Sequence, residues 1–334
     1  MNIVTHIGLA IGLLLLISLL IWQGVLDVAN LLLSSGWSLL WLPLIWLPSF
    51  IPATQGWRVL FDPQRSPGFT HSLLAMWMGR AVNNLLPVAT IGGEIAKARL
   101  IHFWGIKGTD AAASVMVDKV VQAISVALWG LIGVCSLLYL SDNNELAFYA
   151  FLGSFILALC SIGFLYVQKA GLLGILTKLG GKLIKTDAWE GISFNAREID
   201  AAIVDIYANK AMMFWAIFYR TLGLALQTAE VYLACYLLGH PISILEAIML
   251  KSLSSTLSDA VFVIPNAYGI QEGAFILVGS LVGLDANTSL AVSLSIRIRD
   301  LIFDPAGLMT LHQIESKQFV KRKLLEPAAK NGSE

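Results

Sequence analysis

The stretch Leu85-Leu-Pro-Val-Ala-Thr-Ile-Gly-Gly-Glu94 interrupts an apolar segment that runs from His71 to Trp104. At 1.5 Å per residue the arms 71–86 and 93–104 reach roughly 24 and 18 Å, both short of a hydrocarbon core of about 30 Å. A proline removes a helical hydrogen bond, and the two glycines loosen the backbone further. The segment therefore predicts two short helices folded back as a re-entrant hairpin. The same pattern returns at Pro265-Asn-Ala-Tyr-Gly269, inside the apolar segment Ile242–Gly283. Sliding the chain on itself by 178 positions, without gaps, lays Pro87 on Pro265, Ala89 on Ala267 and Glu94 on Glu272. It also lays Gly105 on Gly283, Ala113 on Ala291 and Lys119 on Arg297. Each half thus reads as a helix, a Pro/Gly break, a Glu seven residues after the proline, a short helix, a Gly turn, and a spanning helix that bears a cation.

Composition sets the surroundings of this repeat. Of 334 residues, 57% are hydrophobic and 13% charged, and the mean hydropathy is +0.75; a soluble domain carries about 25% charged residues. Runs such as Ile7–Ile21, Ala123–Leu140 and Ala147–Val167 approach the length that spans a bilayer and lack the period-two alternation of strands. The fold class expected is an all-α integral membrane protein, one polytopic domain over 1–334. Its parts are repeat one at about 71–140, repeat two at about 243–313 and an amphipathic insert at about 168–210. The net charge of zero offers no field for nucleic acid. Cys135, Cys160 and Cys235 sit in apolar runs with no disulfide or CxxC pattern, and the five histidines have no metal-ligand spacing. No cofactor and no metal is expected.

The expected spans are Ile3–Trp22, Trp37–Leu60, Asp110–Leu140, Glu145–Val167, Ala211–Leu238 and Ser289–Gln313, six in all. The first has no basic leader or small-residue cleavage site and reads as a retained helix. Pro43, Pro48 and Pro52 should kink the second. Residues 168–210 hold six basic and five acidic residues. There Leu172, Leu176, Leu179 and Leu183 form one stripe, and Lys178, Lys182 and Lys185 another, as in a helix lying on phosphate headgroups. An ordinary solvated helix has the same pattern. A second amphipathic stretch follows at Ile192–Tyr207.

Three spans between the hairpins put them on opposite sides of the membrane, which makes the repeat inverted. The basic residues agree. The loops expected in the cytoplasm hold Arg58, Arg65, Lys107, the basic residues of the insert and the tail Lys317, Lys321, Arg322, Lys323 and Lys330. Residues 140–145, 239–242 and 284–288 hold no Lys or Arg. Both termini are expected to be cytoplasmic.

Ionisable residues inside a membrane need a partner or a function. The inventory is Arg80, Glu94, Lys97, Arg99, Asp118, Lys119, Arg220, Glu230, Lys251, Asp259, Glu272, Arg297, Arg299, Asp300 and Asp304. Arg99, Arg220 and Asp304 lie near expected helix ends and are free to snorkel. Asp118/Lys119 and Arg299/Asp300 are adjacent in sequence, and adjacent residues do not face each other on a helix. The repeat predicts one cross-helix pair twice, Glu94 with Lys119 and Glu272 with Arg297. The helix starts at Gly92, Gly93 and after Gly269 present free N–H groups suited to an anion, although a first-turn carboxylate is also a plain capping charge. Asn83, Asn84, Pro87, Lys97, Asp259, Pro265, Asn266, Gln271, Arg299 and Asp300 complete the expected substrate-binding set. Polar glue between helices is the competing explanation.

The stretches Gly79-Arg-Ala-Val-Asn-Asn-Leu-Leu-Pro87, Gly92-Gly-Glu-Ile-Ala-Lys97 and Ile264-Pro-Asn-Ala-Tyr-Gly-Ile-Gln-Glu-Gly273 resemble the flippase-like membrane domain of the lysylphosphatidylglycerol synthase superfamily. The ending Arg297-Ile-Arg-Asp-Leu, with Pro305-Ala-Gly-Leu and Gln313-Ile-Glu315, is similar to the hopanoid-biosynthesis-associated branch called HpnL. The resemblance spans nearly the whole chain. It implies lipid handling in a bacterial inner membrane, since in the bifunctional synthases this type of domain moves an aminoacylated phospholipid between leaflets. No counterpart of their soluble aminoacyl-transferase domain follows here, so lipid aminoacylation is not expected. Asn266-Ala-Tyr stands where relatives carry a more Gly-rich segment, so the second hairpin is expected to differ.

The leading expectation is a lipid translocator acting on a hopanoid or phospholipid, and not an enzyme. No Walker A loop is present, so uphill movement would draw on an ion gradient. A membrane enzyme or accessory of lipid biosynthesis is the alternative, and a small-solute transporter the third. Expected partners are membrane lipids, with lipid-biosynthesis proteins and further copies of the chain as candidates.

Overall fold

The computed structural model describes residues 14–15, 17–22, 25–86, 92–140, 144–170, 187–260 and 265–330. Among the described residues there is no strand. The helices are α1 (Val25–Ser35), α2 (Trp41–Arg58), α3 (Phe69–Leu85), α4 (Gly92–Phe103), α5 (Gly108–Leu140) and α6 (Asn144–Lys169). They continue as α7 (Asp187–Ala208), α8 (Lys210–Leu226), α9 (Thr228–Leu237), α10 (Ile244–Ala260), α11 (Ile270–Gly279) and α12 (Ala286–Lys330).

Three helical stretches are long and apolar enough to cross a membrane: Val28–Arg58, Gly108–Leu140 and Phe151–Lys169. A fourth is added if Ala196–Ala208 and Lys210–Leu237, which meet at 82°, count as one. Pro48 and Pro52 lie inside α2 without interrupting it. The expected span Ala211–Leu238 is divided at Gln227, whose backbone keeps helical angles. The span expected at Ser289–Gln313 lies within α12, which continues to Lys330; Arg297, Arg299, Asp300 and Asp304 make it too charged to qualify by hydropathy alone. Val25–Ser35, left between the first two expected spans, is helical as well. Most of Ile3–Trp22 lies outside the described residues.

Local chemistry sets several boundaries. At the start of α10, Ser243 N–H donates to Glu246 Oε2 at 2.6 Å, and Glu246 N–H donates to Ser243 Oγ at 3.3 Å. That reciprocal capping satisfies two orphan donors. Asn209 caps α8 by accepting from Met212 N–H at 3.1 Å. Small residues set the helix crossings, as membrane packing requires. A Cβ on Gly56 would lie 3.0 Å from Ala216 O, and one on Gly223 would lie 3.0 Å from Ser49 O, so α2 and α8 are in backbone contact. Gly133 of α5 similarly meets Ser252 of α10.

Helix α3 packs on α4, and α10 on α11, each pair flanking one of the two breaks. Helices α3 and α10 are each 17 residues long. The starts of α4 and α11, and of α5 and α12, keep the same offset of 178 positions. The first hairpin closes where Gly79 faces Gly93, and Gly93 N–H donates to Asn83 Oδ1 at 2.8 Å. In the second, Asn266 and Ala267 hold left-handed angles (φ 51° and 47°) and Gly269 follows at φ 75°. Helix α3 touches the turn Pro265–Ala267, so the first hairpin meets the break of the second.

Two apolar cores occupy opposite ends of the bundle. One gathers Trp57, Met78, Leu100, Val121 and Leu311, the other Leu42, Leu137, Leu250, Leu290 and Ile296. On α12 the charged residues 297–304 lie between Ile296 of one core and Leu311 of the other. On that helix the ionisable side chains therefore sit between the two cores.

Candidate functional site

Twelve of the ionisable side chains join in three ion-pair assemblies. In the first, Glu94 in the opening turn of α4 lies between two lysines. Its Oε1 is 2.8 Å from Lys119 Nζ and its Oε2 is 2.6 Å from Lys97 Nζ. Lys97 also meets Asp118 at 2.9 Å and sits 4.9 Å from the Trp57 ring. Arg220 of α8 completes the group by pairing with Asp118. Asp118 and Lys119 face different partners, as helical geometry requires of adjacent residues. Three cations meet two carboxylates here, and Lys119, with its side chain 34% exposed, is the most accessible.

The second assembly is closed. Glu272 is fully buried; one oxygen accepts from Gly269 N–H at 2.7 Å and the other pairs with Arg297. Arg297 donates to Asn266 O at 3.3 and 3.4 Å and lies 4.6 Å from the Tyr268 ring. It thereby holds the left-handed turn that Asn266 and Ala267 adopt. Gln271 donates to Ser293 Oγ at 3.1 Å.

The third joins residues that no local spacing in the sequence links. Arg80 of α3 bridges Asp300 at 2.5 Å and Asp304 at 2.8 Å, and Asn84 donates to Asp304 at 2.8 Å. Arg299 meets Glu230 at 2.6 Å and Asp300 at 2.9 Å. Both arginines lie 4.7 Å from the Trp46 ring. Three acids meet two arginines. Stacking on Trp46 adds a cation–π contact that is stronger away from water.

Several expectations need correction. Arg220 and Asp304 do not snorkel: Arg220 pairs with buried Asp118, and Asp304 is fully buried between Arg80 and Asn84. Of the three, Arg99 alone is exposed, and it pairs with Glu315 at 3.2 Å. Arg299 and Asp300 are bonded although adjacent, because the long guanidinium folds back onto a carboxylate that Arg80 already positions. Glu94 and Glu272 share no ion pair or hydrogen bond with each other. Trp46 is the component that the sequence does not single out, and Glu230 stands in the inventory of intramembrane charges without a partner, since nothing near either repeats. Pro87, Lys178, Lys182 and Lys185 lie outside the described residues; Pro265 opens the turn of the second break. Asp259 is exposed at the end of α10.

Two cavities, of about 380 and 450 Å³, adjoin at the elbow between α7 and α8, sharing Phe61, Pro63, Asn209 and Met212. Neither includes a residue of the three assemblies. The elbow is tied to the spans through Tyr207, which donates to Gln168 Oε1 at 2.5 Å, and through Gln168, which donates to Met116 O at 3.5 Å.

The sequence profile of the family described as the lysylphosphatidylglycerol synthase TM region matches residues 7–304. No curated protein and no solved structure matches the chain.

Proposed function

Because the chain belongs to the lysylphosphatidylglycerol synthase TM region family, a family of multi-pass membrane proteins that handle lipids, we propose that it translocates an amphiphilic lipid between leaflets. The cargo proposed is a hopanoid or a phospholipid, moved without an ATPase of its own. Placement in the HpnL-type branch rests on the motifs around Arg297 and Gln313.

The observation that carries this reading is the first assembly. Glu94 is held between two lysines at the start of a helix, in a group with one cation in excess and with Lys119 partly open. A surplus cation beside a helix N-terminus suits a phosphate or another anionic headgroup. The assemblies would give a headgroup polar contacts inside the bundle while its chains stay in lipid.

The architecture that goes with it is six spans and two re-entrant hairpins related by an inverted repeat, the arrangement of many secondary transporters. Equal offsets at both pairs of helix starts, and the contact of α3 with the second break, support it. The basic-loop asymmetry supports cytoplasmic termini in a bacterial inner membrane. The 82° elbow supports α7 lying along the membrane surface while Lys210–Leu237 crosses it. Lys178, Lys182 and Lys185 then belong to the surface that meets anionic headgroups.

Reconstitution tests the proposal. Vesicles that contain the chain and fluorescent lipid in both leaflets should lose more than half of their signal when a membrane-impermeant quencher is added outside. A loss confined to the outer-leaflet half would leave the accessory role in lipid biosynthesis as the better reading.

A further inference from the structure

Once Arg99, which pairs with Glu315 at the surface, is set aside, fourteen ionisable side chains of the apolar helices remain, seven cationic and seven anionic. Twelve take part in the ion pairs of the three assemblies. The remaining two are Lys251 and Asp259, which have no ion pair or hydrogen bond among the described residues. Neither break, 87–91 or 261–264, contains an ionisable residue to serve them.

Both lie on α10, eight residues and roughly 12 Å apart along its axis, too far to pair with each other. Asp259 is exposed and within electrostatic reach of Lys119 on α5, which is already bound to Glu94. Lys251 is half-buried, and Glu230, the acid that acts on it most strongly, is already bound to Arg299. The helix between them is rich in hydroxyls. Ser252, Ser255, Thr256 and Ser258 return their hydrogen bonds to backbone carbonyls. Ser254, 1% exposed, leaves its Oγ without a partner, as does the second oxygen of Glu230.

Buried or membrane-enclosed charges persist only with partners or a ligand. One cation and one anion are left over, on one helix. A headgroup that carries a single anion and a single cation matches both. A purely anionic headgroup is repelled by Asp259, and a purely cationic one by Lys251. We propose that Lys251 and Asp259 bind a zwitterionic phospholipid headgroup, the phosphate at Lys251 and the amine at Asp259. Ser254 adds a free hydroxyl one turn beyond Lys251. This rests on the lipid-handling function proposed above and names the headgroup class that function selects.

The test is a binding measurement on the purified full-length chain in detergent. Short-chain dihexanoyl phosphatidylethanolamine and dihexanoyl phosphatidylglycerol are titrated separately by calorimetry. The unaltered chain should bind the zwitterionic lipid more tightly. Asp259→Asn should weaken that lipid by about tenfold, the loss of one charge-assisted contact, and the anionic lipid by less. Lys251→Met should weaken both, because both carry phosphate, and Asp259→Glu should keep the preference, which separates a lost contact from a damaged fold. Equal binding of the two lipids by the unaltered chain, or an equal loss for both in Asp259→Asn, would overturn the proposal. Binding is read without transport. A chain that discriminates as stated yet exchanges no lipid between leaflets contradicts the translocator reading alone; one that exchanges lipid without discriminating contradicts this inference alone.

Discussion

Glu94 and Glu272 occupy equivalent places in the two halves, but their oxygens are bound differently. Glu272 gives one oxygen to its own helix start and the other to Arg297, so it closes the second hairpin. Glu272→Gln leaves Arg297 buried without its countercharge and should destabilise the chain by about 3–5 kcal/mol, read as a lowered midpoint of thermal unfolding in detergent. Glu94 has two lysine partners, one of them partly open, and its amide variant should fold. Changing Glu94 and Lys119 together should cost less than the sum of the single changes, as for any directly coupled pair. Ala267 offers a test with the opposite sign. A side chain at φ 47° is strained, so Ala267→Gly should leave stability unchanged or raise it by up to about 1 kcal/mol. The two cross-helix pairs were legible in the sequence because the repeat placed a carboxylate and a cation at the same spacing twice. The Arg80 assembly was not, because its members come from α2, α3, α9 and α12, and no local spacing links residues 46, 80, 230 and 300.

At the scale of the element, the first hairpin depends on close contact between two glycines. A Cβ on Gly93 would collide with Gly79 O and with Asn83, and one on Gly79 would lie 2.6 Å from Lys97 Cγ. Gly93→Ala should therefore force the arms apart, costing about 1–3 kcal/mol and moving Lys97 from its partners. Gly153, with nothing within 4 Å, is the matched control, and Gly153→Ala should leave the unfolding midpoint unchanged. Helix arms and breaks were readable from proline, glycine and apolar run length. The end of α12 was not: the apolar run stops near Gln313, whereas the helix continues to Lys330 through residues that its polarity would assign to a tail. For the stretch bearing Lys178, Lys182 and Lys185, a synthetic peptide of 172–185 should bind anionic vesicles with about 1 kcal/mol per lysine, and salt should remove that gain. Equal binding to neutral vesicles would remove the electrostatic part of its role.

Across the whole molecule, two apolar cores share the bundle, and on α12 the charged residues 297–304 lie between them. That layout could not be read from composition, which counts charges without saying which ones meet. The topology proposed for it predicts that, in a cysteine-free background, Asp142→Cys is labelled from outside the cell and Arg322→Cys only after the membrane is opened. Labelling of both from one side would overturn the inverted arrangement. Leaflet exchange in sealed vesicles tests whether the Glu94 assembly carries lipid across the membrane. The comparison is between the unaltered chain and Glu94→Gln, with the fold of each checked by its unfolding midpoint. The unaltered chain should exchange lipid and a folded Glu94→Gln protein should exchange it near background; a folded Glu94→Gln protein that exchanges lipid at the unaltered rate would rule out a carrier role for Glu94.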